Sequence, residues 1–375
     1  MSRRTARSAL VWPLLAVLLA VMGTACSGSN KSALPDCPDD ALTCPASGSP
    51  ATASAGLPAS ADGTTGTPGA SGTPGSPTGV PSPTATPTTT AGTNGTPTAK
   101  AAVCASPGAC GFPDARTTGP RVPLEPHKTG YLAVRTDGMV IRGWDITGSL
   151  DVYANDVTVI DTKITSDNWW GVNLRPGYHG LRILHSTITA VPGKGPDNGG
   201  VDYAVSNMGT SSIEVGWCDV SVFGDALAMG QGNLHDNYVH DIAPFVNKGG
   251  EWQHTNAVIS SGGNDGQLVI RHNTLLNPTS LKQGASGSIG LFADSGVVRN
   301  VTVDDNWIAG GAYALYGGDT GATGIRVTDN VFSTEYHPGS GGYGPVAHWN
   351  AEGAGNVWRN NRMSDGRPVT PEPAS

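Results

Sequence analysis

The sequence predicts an all-β solenoid, in which short strands and sharp corners repeat as stacked coils. One observation is a unit that recurs in the C-terminal two thirds: a β-branched run, a polar corner and a second apolar position. It covers residues 268–275, 301–308 and 325–332. A second observation is that no stretch has convincing helical periodicity. Each unit is too small to bury its own apolar face, so neighbouring units must cover one another along one axis.

A corner column follows the first run of each unit, two positions before the second apolar residue. Its spacings range from 18 to 36 residues, as expected for a helical stack with side loops, whereas a propeller blade needs about 40 residues. Asn tolerates the left-handed backbone of a tight corner, and its amide can bond to the same amide one coil away. The column reads Trp144, Thr162, Ser186, Cys218, Asn237, Asn273, Asn306, Asn330 and Asn361.

A second strand is predicted between successive corners. Small and branched residues stand at matching places in each copy, which indicates a narrow packed interior. Gly and Pro are frequent at the intervals where corners would fall. The predicted strands cover residues 170–174, 202–205, 225–228, 256–259, 288–291, 313–316 and 345–348.

These repeats, such as residues 269–273 and 325–330, resemble those of the right-handed parallel β-helix proteins of the pectin-lyase-like superfamily. More narrowly, they resemble the β-helix repeat proteins that actinobacteria secrete. The resemblance covers roughly residues 112–366 and implies a right-handed parallel β-helix. Many members of the superfamily act on acidic or neutral polysaccharides as lyases, hydrolases or epimerases, so the resemblance implies a polysaccharide partner. It does not identify a reaction, because one fold carries many functions.

The N-terminus carries an export signal. Arg3, Arg4 and Arg7 precede an apolar run over residues 9–22, as in a bacterial signal peptide over residues 1–25. Small residues lead to Cys26 and resemble a lipobox, although Gly23 stands where lipoboxes usually carry a larger apolar residue. We therefore expect lipidation of Cys26 and a protein anchored to the extracellular face of the membrane, with ordinary secretion as the alternative.

Two N-terminal segments separate this signal from the β-helix domain, which we place at residues 104–375. Residues 26–44 form a short first segment. Residues 45–103 form a linker that is rich in Pro, Thr, Ser and Gly. A segment with so little to bury cannot offset the entropy of ordering, so we expect a disordered tether that spaces the domain from the cell surface.

Charge and cysteine usage fit an exported protein. The formal charge is −8, and removal of residues 1–25 lowers it to −11 because three Arg and no acid are lost. This balance argues against nucleic acid as a partner, since phosphate binding needs clustered cations. We expect a monomer.

The cysteine spacing favours two local disulfides in an oxidising compartment, Cys37 with Cys44 and Cys104 with Cys110. Cys218 is left over inside a repeat, where we expect a small buried thiol.

The best candidate catalytic cluster is Asp202, Asp225 and His254. Asp202, Asp225 and Asn256 open consecutive predicted strands, so their side chains would lie about 5 Å apart. Two such carboxylates could act as acid and base of a glycosidase or bind a cation together. His254 follows a long loop and could serve as general acid or base. The alternatives are corner-capping Asp residues and a structural His.

Other residues are candidates for substrate binding. Trp169 and Trp170 could offer flat faces to sugar rings, although we expect one of them to pack inside or under a loop. Asn256 belongs to the same cluster, and Lys248 and Arg271 are cations that a lyase would need near it. No metal site is predicted, and no cofactor is evident. Ca²⁺ remains open, although no contiguous calcium-loop motif is present.

Two functions are open at this point. The first is an extracellular, surface-anchored enzyme that cleaves a polysaccharide as a lyase or glycoside hydrolase. The second is a non-catalytic β-helix that binds a glycan or serves as a rigid surface. The chain lacks the Asn-Thr-Asp, Asp-Asp and Gly-His-Gly set of polygalacturonase-like hydrolases, which argues against that pectinase chemistry.

Overall fold

The computed structural model of the chain describes residue 103, residues 105–207 and residues 211–371. The predicted signal peptide, Cys26, the Cys37–Cys44 pair, Cys104 and nearly all of the predicted linker lie outside the described residues. Two 3-10 helices, at Gly108–Cys110 and Leu281–Gln283, are the helical segments of the described part. No helix of the described part is long and apolar enough to cross a membrane.

The remaining secondary structure of the described residues consists of 26 strands. In chain order they are β1 (Glu125–Val134), β2 (Val140–Arg142), β3 (Trp144–Val152), β4 (Thr158–Ile160), β5 (Lys163–Ser166), β6 (Trp170–Leu174), β7 (Arg182–Leu184), β8 (Thr187–Ala190), β9 (Tyr203–Asn207), β10 (Glu214–Gly216), β11 (Asp219–Ser221), β12 (Asp225–Ala228), β13 (Gly232–His235), β14 (Tyr238–His240), β15 (Thr255–Ser260), β16 (Leu268–Arg271), β17 (Thr274–Asn277), β18 (Ala285–Leu291), β19 (Val301–Asp304), β20 (Trp307–Gly310), β21 (Tyr313–Gly317), β22 (Arg326–Thr328), β23 (Val331–Phe332), β24 (Gly344–Ala347), β25 (Val357–Arg359) and β26 (Arg362–Met363).

The strands stack in three columns of parallel strands, and each complete coil adds one strand to each column. The first column is the nine-stranded sheet β2-β4-β7-β10-β13-β16-β19-β22-β25. The second runs β5-β8-β11-β14-β17-β20-β23-β26 and the third β6-β9-β12-β15-β18-β21-β24. The long strand β3 joins the last two, because its first half pairs with β5 and its second half with β6. This arrangement confirms the predicted all-β parallel β-helix.

The core forms because the inward-facing residues of each strand stack on the same position of the next coil. In the first column, Ile183, Val215 and Leu234 are in register across three coils and are fully buried. In the third column, Val205, Leu227 and Val258 repeat this pattern. Each such side chain contributes about 1.5–3 kcal/mol when it is buried. β-branched and Leu residues therefore recur at these positions.

The predicted amide ladder, which we call the corner ladder, is confirmed. Hydrogen bonds of 2.9–3.0 Å run from the Nδ2 of each Asn to the Oδ1 of the next, through Asn237, Asn273, Asn306, Asn330 and Asn361. The expected left-handed backbone lies one residue earlier, at Asp236, His272, Asp305, Asp329 and Asn360. The preceding residue makes the turn, because the amide must point into the coil to reach its neighbour.

The cysteines of the described part differ in state. Cys218 is buried and free, as predicted, and its Sγ lies 3.5 Å from the carbonyl oxygen of Ile183. Cys110 is disulfide-bonded. Since Cys104 lies outside the described residues, its pairing with Cys110 stays a prediction.

Candidate functional site

The outward face of the third column carries an unusual line of polar and aromatic side chains. Trp170 is in register with Tyr203, Tyr203 with Asp225, and Asp225 with Asn256. We call these four residues the outer row. Sequence reasoning placed Asp202 in this row, one residue too early. Asp202 lies in the corner before β9, and its carbonyl oxygen accepts a hydrogen bond from the Asp225 N–H at 2.7 Å.

Asp202 and Asp225, here called the acid pair, are each only 3% exposed. Asp225 Oδ1 accepts a hydrogen bond of 2.8 Å from Asn256 Nδ2. Asn256 Oδ1 accepts another, of 2.9 Å, from the N–H of Gly287 on the next coil. In contrast, Asp202 Oδ2 has no hydrogen-bond partner among the described residues. The acid pair thus combines one well-held carboxyl group with one that lacks a full set of partners.

Burial disfavours ionisation of both carboxyls, and neighbouring negative charge adds to this effect at Asp202. Burial raises the pKa of Asp202 to about 8, and the carboxylates of Asp197 and Asp225 add to the rise. Burial also raises the pKa of Asp225 to about 7, against the effect of hydrogen bonds from Asn256 and Gln253. Near neutral pH the pair therefore retains protons. A protonated carboxyl beside an ionised one is the division that acid–base catalysis uses.

Two loops, residues 193–200 and 243–254, lie over the acid pair and form what we call the loop cover. Asp197 Oδ1 accepts a hydrogen bond of 2.7 Å from the Lys248 N–H, and Asn198 Nδ2 donates one of 3.0 Å to the Val246 carbonyl.

The Phe245 ring of the loop cover packs directly on the backbone before each carboxyl group. A Cβ atom added at Gly200 would overlap this ring, and one added at Gly224 would lie 2.9 Å from it. A substrate would reach the acid pair only after this cover moves.

The two adjacent tryptophans have different environments. Trp169 is partly exposed, and the Lys248 Nζ lies 5.3 Å from the centroid of its ring, within the range of a cation–π contact. Trp170 is buried, and its Nε1 donates a 3.2 Å hydrogen bond to Asp151 Oδ2. Trp169 is therefore the partly exposed ring at the edge of the loop cover, whereas Trp170 is a packing residue.

Sequence reasoning missed a buried ion pair beside Trp170. Arg175 Nε donates to Asp151 Oδ1 at 2.5 Å, and both side chains are almost completely buried. The Arg175 guanidinium also lies 4.8 Å from the Trp170 ring centroid. The sequence feature that could have indicated this pair is a charged residue within β3, Asp151, and another directly after β6, Arg175. Only the stacking of coils brings these residues, 24 positions apart, into contact.

The outward face continues beyond Asn256 as an aromatic strip, which comprises Phe292, Tyr313, Tyr316, Tyr343 and His348. Phe292 and Tyr316 have ring centroids 5.0 Å apart, and Tyr316 stacks on His348 at 5.7 Å. Tyr313 lies 5.6 Å from Tyr316 and 5.9 Å from Tyr343. Tyr343 is 66% exposed. Sequence reasoning assigned residues 313–316 to the packed interior and missed this surface.

Two glycines of β18 make the strip possible. A Cβ at Gly290 would overlap the Phe292 ring and would lie 2.8 Å from Asn256 Oδ1. A Cβ at Gly287 would lie 3.2 Å from Tyr316. The rings can therefore lie against the backbone, and the aromatic strip begins directly beside Asn256 of the outer row.

The structure places two predicted site residues apart from the acid pair. His254 is exposed and forms no hydrogen bond or ion pair with the described residues. Its neighbour Gln253 contacts Asp225 instead, because adjacent residues of an extended chain point in opposite directions. Arg271 lies in β16 of the first column and pairs with Asp304 at 3.4 Å.

No group of three or more His, Cys, Asp or Glu side chains in the described ranges is placed to hold a metal ion. Ca²⁺ binding, which the sequence leaves open, is not tested by this arrangement.

Comparisons with known proteins add little to this description. No family model matches the chain, and no curated protein matches it. One solved structure is similar, the catalytic unit of a thermostable GH87 alpha-1,3-glucanase from Streptomyces thermodiastaticus strain HF3-3, with 12% identity and a TM-score of 0.32. The match covers 63% of this chain and 51% of that chain, so this chain spans about half the length of that unit. A likeness this weak carries no functional argument.

Proposed function

We propose that the protein is an exported β-helix protein that binds a polysaccharide along the third column, with the aromatic strip as its main contact surface. The observation that carries this proposal is the strip itself. Four aromatic rings and an imidazole lie side by side on neighbouring coils, and Tyr343 is largely exposed. Pyranose rings present apolar C–H faces, which pack favourably on such rings, and the Tyr hydroxyls can bond to sugar hydroxyls.

The length of the surface favours a polymer over a single sugar. From Asp225 on β12 to the strip residues beside β24 there are four strand spacings, or about 19 Å along the axis. A glycan chain that lies parallel to the axis would contact the aromatic strip directly, and it would reach the outer row once the loop cover has moved.

The charge of the surface favours a neutral polysaccharide. The formal net charge of the chain is −8. Arg175 is already paired with Asp151, and Lys248 lies over Trp169. An acidic polysaccharide would therefore meet like charge without a matching row of cations.

A second candidate function is cleavage of the bound polysaccharide, and the acid pair is the observation that favours it. Glycoside hydrolysis uses one protonated and one ionised carboxyl group, and Asp202 and Asp225 both have raised pKa values. Elimination would need a basic residue that removes a proton. Since His254 and Arg271 do not contact the pair, hydrolysis fits the described geometry better than elimination.

Binding is tested by affinity electrophoresis of the purified protein in gels that contain neutral or acidic polysaccharides. We expect at least one neutral polysaccharide to retard the wild type, and Tyr316→Ala and Tyr343→Ala to migrate faster in that gel. Tyr238→Ala is the matched control, because Tyr238 lies on β14 of the second column. Retardation by none of the polysaccharides, or equal retardation of all variants, would contradict the proposal.

Cleavage is tested on each retained polysaccharide by counting new reducing ends and measuring absorbance of unsaturated products. Reducing ends that disappear in Asp225→Asn would support hydrolysis by the acid pair. Unsaturated products would support elimination. A polysaccharide that is retained but not cut would leave binding as the function.

Export and anchoring belong to the same proposal, and residues 1–26 support them. We expect Cys26→Ser to move the protein from the membrane fraction into the medium. If the variant and the wild type fractionate alike, Cys26 is not an anchor.

A further inference from the structure

A second concave site lies away from the third column, between the N-terminal segment, the start of β20 and the loops that follow β23 and β26. It is a cleft of about 450 Å³, with Ser106 and Pro107 on one wall and Trp307, Ser333, Glu335 and Asp365 among the residues opposite. A volume of this size is typical of small-ligand pockets. None of its lining residues belongs to the outer row, the acid pair or the aromatic strip.

Trp307 in this cleft has an unused donor. Its side chain is only 1% exposed, and its ring packs against Phe112 with centroids 5.8 Å apart. Its Nε1–H has no acceptor among the described residues. A buried N–H without an acceptor is unfavourable, so an oxygen atom of a ligand seated against Trp307 would remove this cost.

The cleft also contains hydrogen-bond acceptors for the hydroxyl groups of a ligand. The Glu335 carboxyl makes no hydrogen bond with the described residues, and the loss of part of its hydration raises its pKa. Asp365 differs, because its Oδ2 accepts a 2.7 Å hydrogen bond from Arg367 Nε. Ser333 Oγ accepts from the Glu335 N–H at 3.2 Å and keeps its own proton to donate.

We infer that this cleft binds a neutral sugar residue. Sugar hydroxyls can donate to Glu335 and Asp365 and accept from Trp307 and Ser333, while a C–H face covers Pro107. An anionic ligand would be repelled by the two carboxyls, and an ammonium ion would leave the Trp307 N–H without an acceptor. The ligand class rests on the proposed polysaccharide function, to which the cleft adds a second site.

Saturation-transfer NMR with the purified full chain tests this inference. The probes are methyl α-glucopyranoside, methyl α-mannopyranoside, methyl β-galactopyranoside and N-acetylglucosamine, with glucuronate and glucosamine as charged counterparts. We expect at least one neutral probe to bind, and Trp307→Phe, which keeps the aromatic packing, to weaken that binding roughly fivefold. Glu335→Gln should weaken it as well. Glu335 is exposed, so its substitution should not destabilise the fold. Glu335→Gln therefore remains a valid test if Trp307→Phe lowers the thermal midpoint of the protein.

The two sites can fail separately. Tyr343→Ala should no longer be retarded by the polysaccharide but should still bind the monosaccharide. Trp307→Phe should still be retarded by the polysaccharide but should bind the monosaccharide more weakly. No saturation of any neutral probe, or saturation that both cleft variants leave unchanged, would overturn the inference. Saturation of glucosamine alone would also overturn it, in favour of a cation site.

Discussion

The corner ladder and the acid pair are both lines of buried polar groups that pass from coil to coil, but they differ in how their hydrogen bonds are satisfied. Asn273 and Asn306 are completely buried, and their amides donate both to the next amide and to main-chain carbonyls. Asp202 is almost as buried, but its Oδ2 has no partner in the described structure. Burial alone therefore does not distinguish the two regions.

The difference follows from the chemistry of the side chains. A primary amide carries donors and acceptors, so identical amides can satisfy one another along a stack. Ionised carboxylates carry only acceptors, so neighbours repel unless one holds a proton. Repetition of Asn thus gives stability, whereas two carboxyls at one place create a group whose protonation can change.

The largest effect is expected when the corner ladder is broken. Asn306→Ala removes contacts to Asn273, Asn330 and the Ile270 carbonyl, and it leaves buried donors and acceptors on both sides. We expect the free energy of unfolding to fall by roughly 4 kcal/mol, measured by denaturant titration. Asn233→Ala, at an exposed position of β13, is the matched control and should change it by less than about 0.5 kcal/mol. Equal effects would show that the ladder contributes no special stability.

The second effect concerns the acid pair and its pH dependence. The folded-state pKa of Asp202, about 8, lies above the ordinary value of 3.8, so folding favours the protonated carboxyl. Its stabilising contribution is complete below pH 3.8 and is lost as pH rises toward 8. Asp202→Asn should remove roughly 3 kcal/mol of this decline in the free energy of unfolding.

The measurement is a series of denaturant titrations across that pH range for the wild type and Asp202→Asn. Parallel pH profiles would contradict a raised pKa at Asp202. Asp265→Asn, at a highly exposed position, is the control whose profile should follow the wild type.

A third and smaller effect would show whether the loop cover keeps water from the acid pair. Phe245→Ala removes the ring that packs on Gly200 and Gly224, which should cost about 2 kcal/mol of stability at acidic pH. Water that enters would lower both carboxyl pKa values, so the decline of stability toward pH 8 should become shallower. An unchanged decline would mean that burial by other residues, and not Phe245, raises the pKa values.

The smallest effect is expected at a polar cluster on the protein surface. The hydrogen bond to Asp236 raises the pKa of His235, and the contact with Glu214 adds to it. This stabilisation is complete below the ordinary pKa of 6.5 and is lost as pH rises through the higher folded-state value. Asp236→Asn should make this pH-dependent loss of stability smaller. The difference from the wild type should stay below about 1 kcal/mol, because both groups are partly solvated. A larger change would show that these groups interact as strongly as the buried polar groups do.

The local pattern predicted the strands well. Residues 170–174 and 225–228 coincide with β6 and β12, because small and branched residues recur at matching places in each coil. It also predicted the corner ladder, since a residue type that recurs at one point of each coil must meet itself. For the candidate site, the pattern correctly placed Asp225 beside Asn256.

Other parts of the site depended on exact stacking. The strand β9 begins at Tyr203 and not at Asp202, so Tyr203 faces Asp225. The Asp151–Arg175 pair joins residues one coil apart, and only the stacking of coils shows that both side chains point toward each other. The aromatic strip requires a residue without a Cβ atom at Gly290, because the Phe292 ring occupies that space. Only the packing of neighbouring coils shows this requirement.

The sequence by itself therefore determined the parallel β-helix and the corner ladder, because both depend on short periodic units that repeat along the chain. Only the tertiary structure decided which polar side chains lack partners and which rings share a surface. The physical reason is that loops of different length set the register of side chains between coils. A shift of one residue exchanges an outward carboxyl for an outward ring.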